Sequence, residues 1–335
     1  MKWEQARRIL CVRLDAAGDV LMTTPAIRAL KESGCGRQVT LLISDTGAEV
    51  AAFVPEVDEI LTYRAPWMKS KLRDVSPRCH LEMVARLSAG NFDAAVIFTV
   101  YSQSPLPAAL LCFQAGIPLR LAHCRENPYH LLTDWEPETE PEQHIRHEVR
   151  RQLDLVSLVG ARTRRESLSF AVPEESRAGM SRKLLASGLE PGRPWLVVHP
   201  GGTARSRRYP TKYYSRLLDL LFDRQGHQAV VTGTRKERSI VNALVRRTRA
   251  PVVDLCGSLD LGELGALLQA APLLVSGNTG PVHMAAAFGT PVVDLYALTN
   301  PQHAPWAVPS RVLYRDVPCR WCYKSLCPEG HNSCL

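Results

Sequence analysis

The 335-residue sequence contains no apolar run of the length a bilayer-spanning helix needs, so no transmembrane helix is expected. Met1–Arg8 leads towards a strand without the apolar core and small-residue cleavage site of a signal peptide, and a cytoplasmic location is expected. Walker A and GxGxxG patterns are both missing, which removes the two commonest phosphate-loop signatures. No nucleic-acid motif of fixed spacing occurs, so DNA or RNA is not an expected partner despite a net charge of +8. Repeats of solenoid length and low-complexity tracts are also lacking. The basic residues are dispersed, with small clusters at 146–151, 162–165, 205–208 and 246–249 that read mostly as solvated surface. The surplus charge also suits a phosphorylated substrate or an anionic membrane surface.

What is present is ordinary globular composition, 45% hydrophobic and 22% charged, with length for two domains. Apolar strands alternate with amphipathic stretches from Ile9 to Ala122 and again from Trp195 to Tyr296. That alternation gives parallel sheets covered on both faces. Pro25 lies inside the first helical stretch, Val20–Lys31, so a kink or a late start is expected there. The boundary between the two α/β series is expected near Ser169–Glu175, giving domains 1–170 and 171–310 and a cysteine-rich tail, 311–335.

Four stretches carry candidate chemistry. Leu273–Ser276 is an apolar strand that runs through Asn278-Thr279-Gly280-Pro281 into the Ala-rich helix holding His283. A helix N-terminus offers free N–H groups and a positive dipole end to an anion, and Pro281 suits the first helical turn. This turn favours a diphosphate, although an ordinary strand–loop–helix connection has the same shape. In Arg13-Leu14-Asp15-Ala16-Ala17-Gly18-Asp19, Asp19 falls where the first strand turns into the first helix. It reads either as a helix cap or as a general base facing a cleft. His199-Pro200-Gly201-Gly202-Thr203 with Arg205–Arg208 joins a buried strand to a glycine turn and guanidinium groups, a second diphosphate half-site. Glu237, after Thr232-Gly233-Thr234, reads equally as a ribose ligand or as a first-turn carboxylate on the helix dipole.

Together these segments resemble glycosyltransferase family 9, the bacterial heptosyltransferases of lipopolysaccharide core assembly. The resemblance rests on Gly18-Asp19-Val20-Leu21 with Thr24-Pro25, His199-Pro200-Gly201 with Arg208-Tyr209-Pro210, Gly233 with Glu237, and Asn278-Thr279-Gly280-Pro281 with His283. Their order and spacing cover nearly the whole chain, and the run Pro318–Leu335 is similar to the tail of the heptosyltransferase II branch. The resemblance implies a GT-B architecture, two Rossmann-like domains with parallel sheets facing a central cleft. It implies an inverting transfer from ADP-L-glycero-β-D-manno-heptose to a lipid-linked core acceptor, at the cytoplasmic face of the inner membrane. Asp19 would be the general base. Arg208 and the Thr279–Gly280 backbone would stabilise the departing diphosphate. Gly18, Gly201, Gly202, Thr203, Glu237, Asn278, Pro281 and His283 would complete the donor site. Lys69, Lys71, Arg73 and Arg120 are the candidate acceptor ligands. Two positions depart from the family pattern: Arg208-Tyr209 stands where Lys and Trp are common, and Asn278 where Asp is frequent.

Of the ten cysteines, Cys319, Cys322, Cys327 and Cys334 crowd the last stretch of the chain. Four thiols this close are a candidate structural zinc or iron site, with free thiols as the alternative. No cofactor is expected for the chemistry itself. Two rivals to heptosyl transfer stay open at this level: a transferase of another nucleotide sugar or to a protein acceptor, and a nucleotide-sugar-binding subunit without turnover.

Overall fold

The computed structural model describes residues 1–68, 76–297 and 299–335. The chain divides after Ser169 into two units, Met1–Ser169 and Phe170–Leu335. In the first, the strands are β1 (Arg8–Arg13), β2 (Gln38–Ile43), β3 (Glu59–Thr62), β4 (Ala94–Ile97), β5 (Leu119–Cys124) and β6 (Asp134–Pro137). Between and after them run α1 (Ala17–Glu32), α2 (Asp45–Ala51), α3 (Pro77–Ala89), α4 (Leu106–Gln114) and α5 (Glu148–Ser157). The sheet order is β3-β2-β1-β4-β5-β6, every pairing parallel. β4 is buried throughout, and β1 and β2 at all but their first residue. Strands with both faces covered read as continuous apolar runs for that reason.

Helix α1 does not start late: it begins at Ala17 and runs without interruption through Pro25. A proline ring leaves the carbonyl four residues back without its helical N–H. That carbonyl is Leu21 O, and the Thr24 hydroxyl donates to it at 2.7 Å. Thr24 in turn accepts from the Ser169 N–H at 2.9 Å.

The second unit repeats the plan. Its strands are β7 (Trp195–His199), β8 (Gln228–Val231), β9 (Val252–Asp254), β10 (Leu274–Ser276), β11 (Val292–Leu295) and β12 (Ser310–Leu313). Its helices are α6 (Glu174–Ala186), α7 (Thr211–Gln225), α8 (Arg238–Val245), α9 (Leu261–Ala270) and α10 (Gly280–Phe288). The order β12-β11-β10-β7-β8-β9, again all parallel, is that of the first sheet counted from its own first strand. The cysteine-rich tail does not stand apart from this unit. Its expected start falls inside β12, which pairs with β11. Ser206 donates to Lys324 O and Ser325 O, and the Tyr323 N–H to Thr299 O at 2.7 Å.

In both sheets the strand order reverses beside the first strand, between β1 and β4 and between β7 and β10. At such a reversal the crossover helices leave to opposite faces and open a crevice at the strands' carboxyl ends. Among the described residues no helix is long and apolar enough to cross a membrane.

Candidate active site

In the first unit, β1 ends in an arginine whose side chain is wholly buried, and three carboxylates surround it. Arg13 Nε lies 3.1 Å from Asp15, Nη2 3.4 Å from Asp19, and Nη1 3.0 Å from Glu148 of α5. Burial works against the guanidinium charge, but Asp15, Glu148 and Asp19 outweigh it and raise the Arg13 pKa. Behind Glu148 stands a second buried arginine, Arg151, paired with Glu138 and donating to Thr99 O.

Asp19 takes the capping role and leaves its other oxygen beside Arg13. One carboxylate oxygen accepts from the Ala16 N–H at 3.2 Å, fastening the start of α1, and the other faces Arg13. Its side chain keeps 17% of its accessible surface. That surface lies on the wall of a cavity of about 1060 Å³, which Asp15, Ser44, Asp45, Tyr63, Trp67 and Gln103 also line. Tyr63 and Trp67 meet edge to face, 5.7 Å between centroids, and the Tyr63 hydroxyl bonds to His80 at 2.8 Å.

In the second unit the loops after β7, β8 and β10 build a different surface. The Glu237 carboxylate accepts from Gly202 N at 2.6 Å and from Thr234 N at 2.8 Å and Oγ1 at 2.9 Å. Burial pushes this carboxyl up, but the Thr234 donors, the neighbouring His199 and the Gly202 N–H together outweigh it and hold it below the usual range. A Cβ on Gly201 would fall 2.2 Å from Glu237 Oε1, so only glycine admits the carboxylate there. His199 lies 3.9 Å from Glu237, and burial pushes its pKa down against the pull of that carboxylate. Arg208 Nε donates to Gly202 O at 2.6 Å, which folds the arginine over the glycine turn. Thr203 is exposed on the same loop.

After β10, Thr279 precedes α10 in extended geometry, and Pro281 occupies the first turn. The α10 N–H groups thus open at the strand end, where the anion reading needs them. Gly277 admits no side chain, because a Cβ would lie 2.7 Å from the Arg207 carbonyl. Asn278 points the other way. Its Nδ2 donates to Asp294 Oδ2 at 3.0 Å and to His303 O at 2.7 Å. Asp294 is buried, and burial raises its pKa to about 7 against the pull of Asn278 and Arg207. An aspartate at position 278 would set two carboxyls together here, which explains the amide. His283 is buried within α10.

The acceptor candidates fare differently. Lys69, Lys71 and Arg73 lie outside the described residues. Arg120 is a structural clamp: its guanidinium donates to the carbonyls of Ile117, His130 and Leu131 and stacks over Phe113. It is fully engaged in closing the turns around β5 and is withdrawn from the acceptor set. In the tail, Cys319 Sγ and His331 Nε2 come within 3.5 Å. Among the described residues, however, no three His, Cys, Asp or Glu side chains gather closely enough to hold a metal ion. The zinc or iron expected at the four cysteines therefore finds no support. Sequence reasoning missed Arg13, Asp15 and Glu148. The available signal was a charged residue at the end of the otherwise apolar run Ile9–Leu14, which must find carboxylates when buried.

The model of glycosyltransferase family 9 (heptosyltransferase) matches residues 80–332. The chain is 24% identical over 295 residues to lipopolysaccharide heptosyltransferase 3 of Escherichia coli K12, covering 86% of this chain and 81% of that protein. Among solved structures it is similar to a family 9 glycosyltransferase from Veillonella parvula, with a TM-score of 0.79, 22% identity and coverage of 93% and 87%. It is also similar to the Escherichia coli ADP-heptose lipopolysaccharide heptosyltransferase II, with a TM-score of 0.72, 21% identity and coverage of 92% and 91%. These likenesses identify the fold as GT-B.

Proposed function

The chain belongs to glycosyltransferase family 9, an enzyme family of glycosyl transfer, and from that premise we propose which transfer it performs and how. It moves a heptose from an ADP-activated donor to a sugar hydroxyl of a lipopolysaccharide-core acceptor, with inversion at the anomeric carbon. The names of its relatives support the donor and acceptor classes. The observation that carries the mechanism is the Asp19 carboxylate, fastened by Arg13 and Ala16 yet open to the first unit's cavity.

The acceptor hydroxyl gives its proton to Asp19 as its oxygen bonds to the anomeric carbon. The bond from that carbon to the diphosphate oxygen breaks, and the electron pair leaves on ADP. Negative charge grows on the diphosphate as this happens. The backbone N–H groups at Thr279 and Gly280 and the Arg208 guanidinium meet that charge, and preorganised donors of this kind are usually the largest single contribution to rate. Gly201, Gly202, Thr203, Pro281 and His283 form the surrounding donor surface. Glu237 holds the ribose through its oxygens while fixing the glycine turn. The chain's net positive charge suits the anionic acceptor and the inner membrane's cytoplasmic face, where anionic lipid attracts it.

The test is transfer from ADP-heptose to core-truncated lipopolysaccharide by wild type and Asp19→Asn. Loss of transfer with ADP affinity kept supports the reading. Wild-type transfer by the variant overturns Asp19 as base, and transfer only from UDP- or GDP-sugars overturns the donor.

A further inference from the structure

The guanidinium of Arg13 has a fork formed by Nε and Nη2 and a third donor, Nη1, on its other side. Asp15 and Asp19 each bring one oxygen within ion-pair range of that side, 3.1 Å from Nε and 3.4 Å from Nη2, while Glu148 lies 3.0 Å from Nη1. The two aspartates therefore sit side by side on one edge of a single buried cation, and both line the cavity. Asp15 is fixed from its other oxygen as well, where Gln103 Nε2 donates at 2.6 Å. Its side chain keeps 9% exposure, all that a small hydroxyl needs to reach it.

We propose that Asp15 is a second carboxylate of the catalytic site, raising the proton affinity of Asp19 and holding the acceptor sugar beside its reacting hydroxyl, and that Arg13 is the positioning residue for both. The inference rests on the reading of Asp19 as base. Two negative charges on one edge of one guanidinium bind an incoming proton more strongly than one carboxylate paired alone with an arginine. The surroundings reinforce this. Asp15, Asp19 and Glu148 lie in ion-pair range of Arg13, and Glu138 and Glu148 in that of Arg151. His123, packed on Arg151, is neutral, since burial and then Arg151 push it down to about 3. Asp45 and Arg64 at the cavity rim pair with each other. Asp15 itself is raised, chiefly by burial and further by Asp19 and Glu148. The proton leaving the acceptor hydroxyl goes to Asp19, and Asp15 accepts the hydrogen bond of a neighbouring hydroxyl on the sugar ring.

Arg13 and Asp15 act on Asp19 with opposite sign, and the experiment uses that. The pH dependence of kcat is measured for wild type, Asp15→Asn and Arg13→Lys with saturating ADP-heptose and core-truncated lipopolysaccharide. In Asp15→Asn the acid limb moves to lower pH by about one unit, because a neighbouring negative charge is gone. There kcat falls about tenfold with the donor KM unchanged, because a weaker base takes the proton less readily. In Arg13→Lys a single ammonium cannot fork two carboxylates, and the acid limb moves the other way. Gln103→Ala, at a part-exposed position, withdraws only the hydrogen bond that aims Asp15. It lowers kcat/KM for the acceptor about threefold and leaves the fold intact. Wild-type kcat and an unmoved acid limb in Asp15→Asn overturn the pair, as does wild-type acceptor kcat/KM in Gln103→Ala. If Asp19→Asn still transfers heptose, the reading of the base fails first. If Asp19→Asn is inactive while Asp15→Asn behaves as wild type, only the pair fails.

Discussion

The two units share one strand order and one kind of crevice, yet they fill it with opposite materials. At the first crevice the surface is side-chain charge: Asp15 and Asp19 held on a buried Arg13. At the second it is backbone: glycine turns, the start of α10, and a carboxylate, Glu237, whose oxygens accept from loop N–H groups. Topology therefore decides where a ligand binds, and the loop residues decide what is done to it. A proton acceptor needs a titratable side chain with a controlled environment. A diphosphate needs donors that never titrate, and peptide N–H groups meet that need.

Substitutions should accordingly split by unit, rate in the first and donor affinity in the second. The largest expected effect is that of Asp19→Asn. It lowers kcat about 10²- to 10⁴-fold, the usual worth of a general base, and leaves the ADP Kd unchanged by calorimetry. An Asp19→Asn protein that loses ADP affinity instead would erase the division. Next is Arg13→Met, which strands buried carboxylates without their cation. Removing one partner of a buried ion pair costs about 3–5 kcal/mol, and urea unfolding should report a loss of that size.

The third expectation concerns pH. His123 in the first unit has its folded pKa lowered to about 3. It remains neutral in the fold while the unfolded chain takes up a proton, so its contribution to stability rises with pH from about 3 to the ordinary histidine range. Asp294 in the second unit is raised to about 7. It keeps its proton in the fold while the unfolded chain has lost it, so its contribution is full below the ordinary aspartate range and falls until about pH 7. Hydrogen exchange from pH 4 to 7 should show these two contributions moving with opposite sign, the first lost in His123→Gln, each on the order of a few kcal/mol at most. Asp294→Asn should flatten the second trend; an unchanged slope in that variant removes Asp294 as its source. The smallest effect is Gly201→Ala, whose methyl displaces Glu237 and should weaken ADP binding about tenfold with kcat held. A change of kcat alone would put this loop on the acceptor side of the comparison.

Both crevices were legible in the sequence because apolar runs ending in Gly, Asp or Asn mark strand ends wherever strands are doubly covered. Edge elements were not. β6 is Asp-Trp-Glu-Pro, with no buried residue, and β12 is nearly as open, so neither carries an apolar signal. α6 buries only Gly179 and Met180 and shows little periodicity, so its residues carry no clear helical signal. Arg120 was misread because an arginine beside a strand looks the same whether it meets a ligand or closes turns onto carbonyl groups. Glu148 was beyond reach, since nothing local tells a carboxylate on one helix that it will meet an arginine at the end of β1. The continuity of α1 was a matter of one hydroxyl, as Thr24 supplies what Pro25 cannot.

That hydroxyl also has a mechanical meaning. Thr24 accepts from Ser169, the last residue of the first unit, and Arg28 one turn on grips the carbonyls of Arg165 and Ser167 at 2.6 and 2.8 Å. The segment through which the chain leaves this unit is thus riveted to the helix whose opening turn carries Asp19. Tension applied along that exit is loaded onto Thr24 and Arg28, on the same helix as the carboxylate.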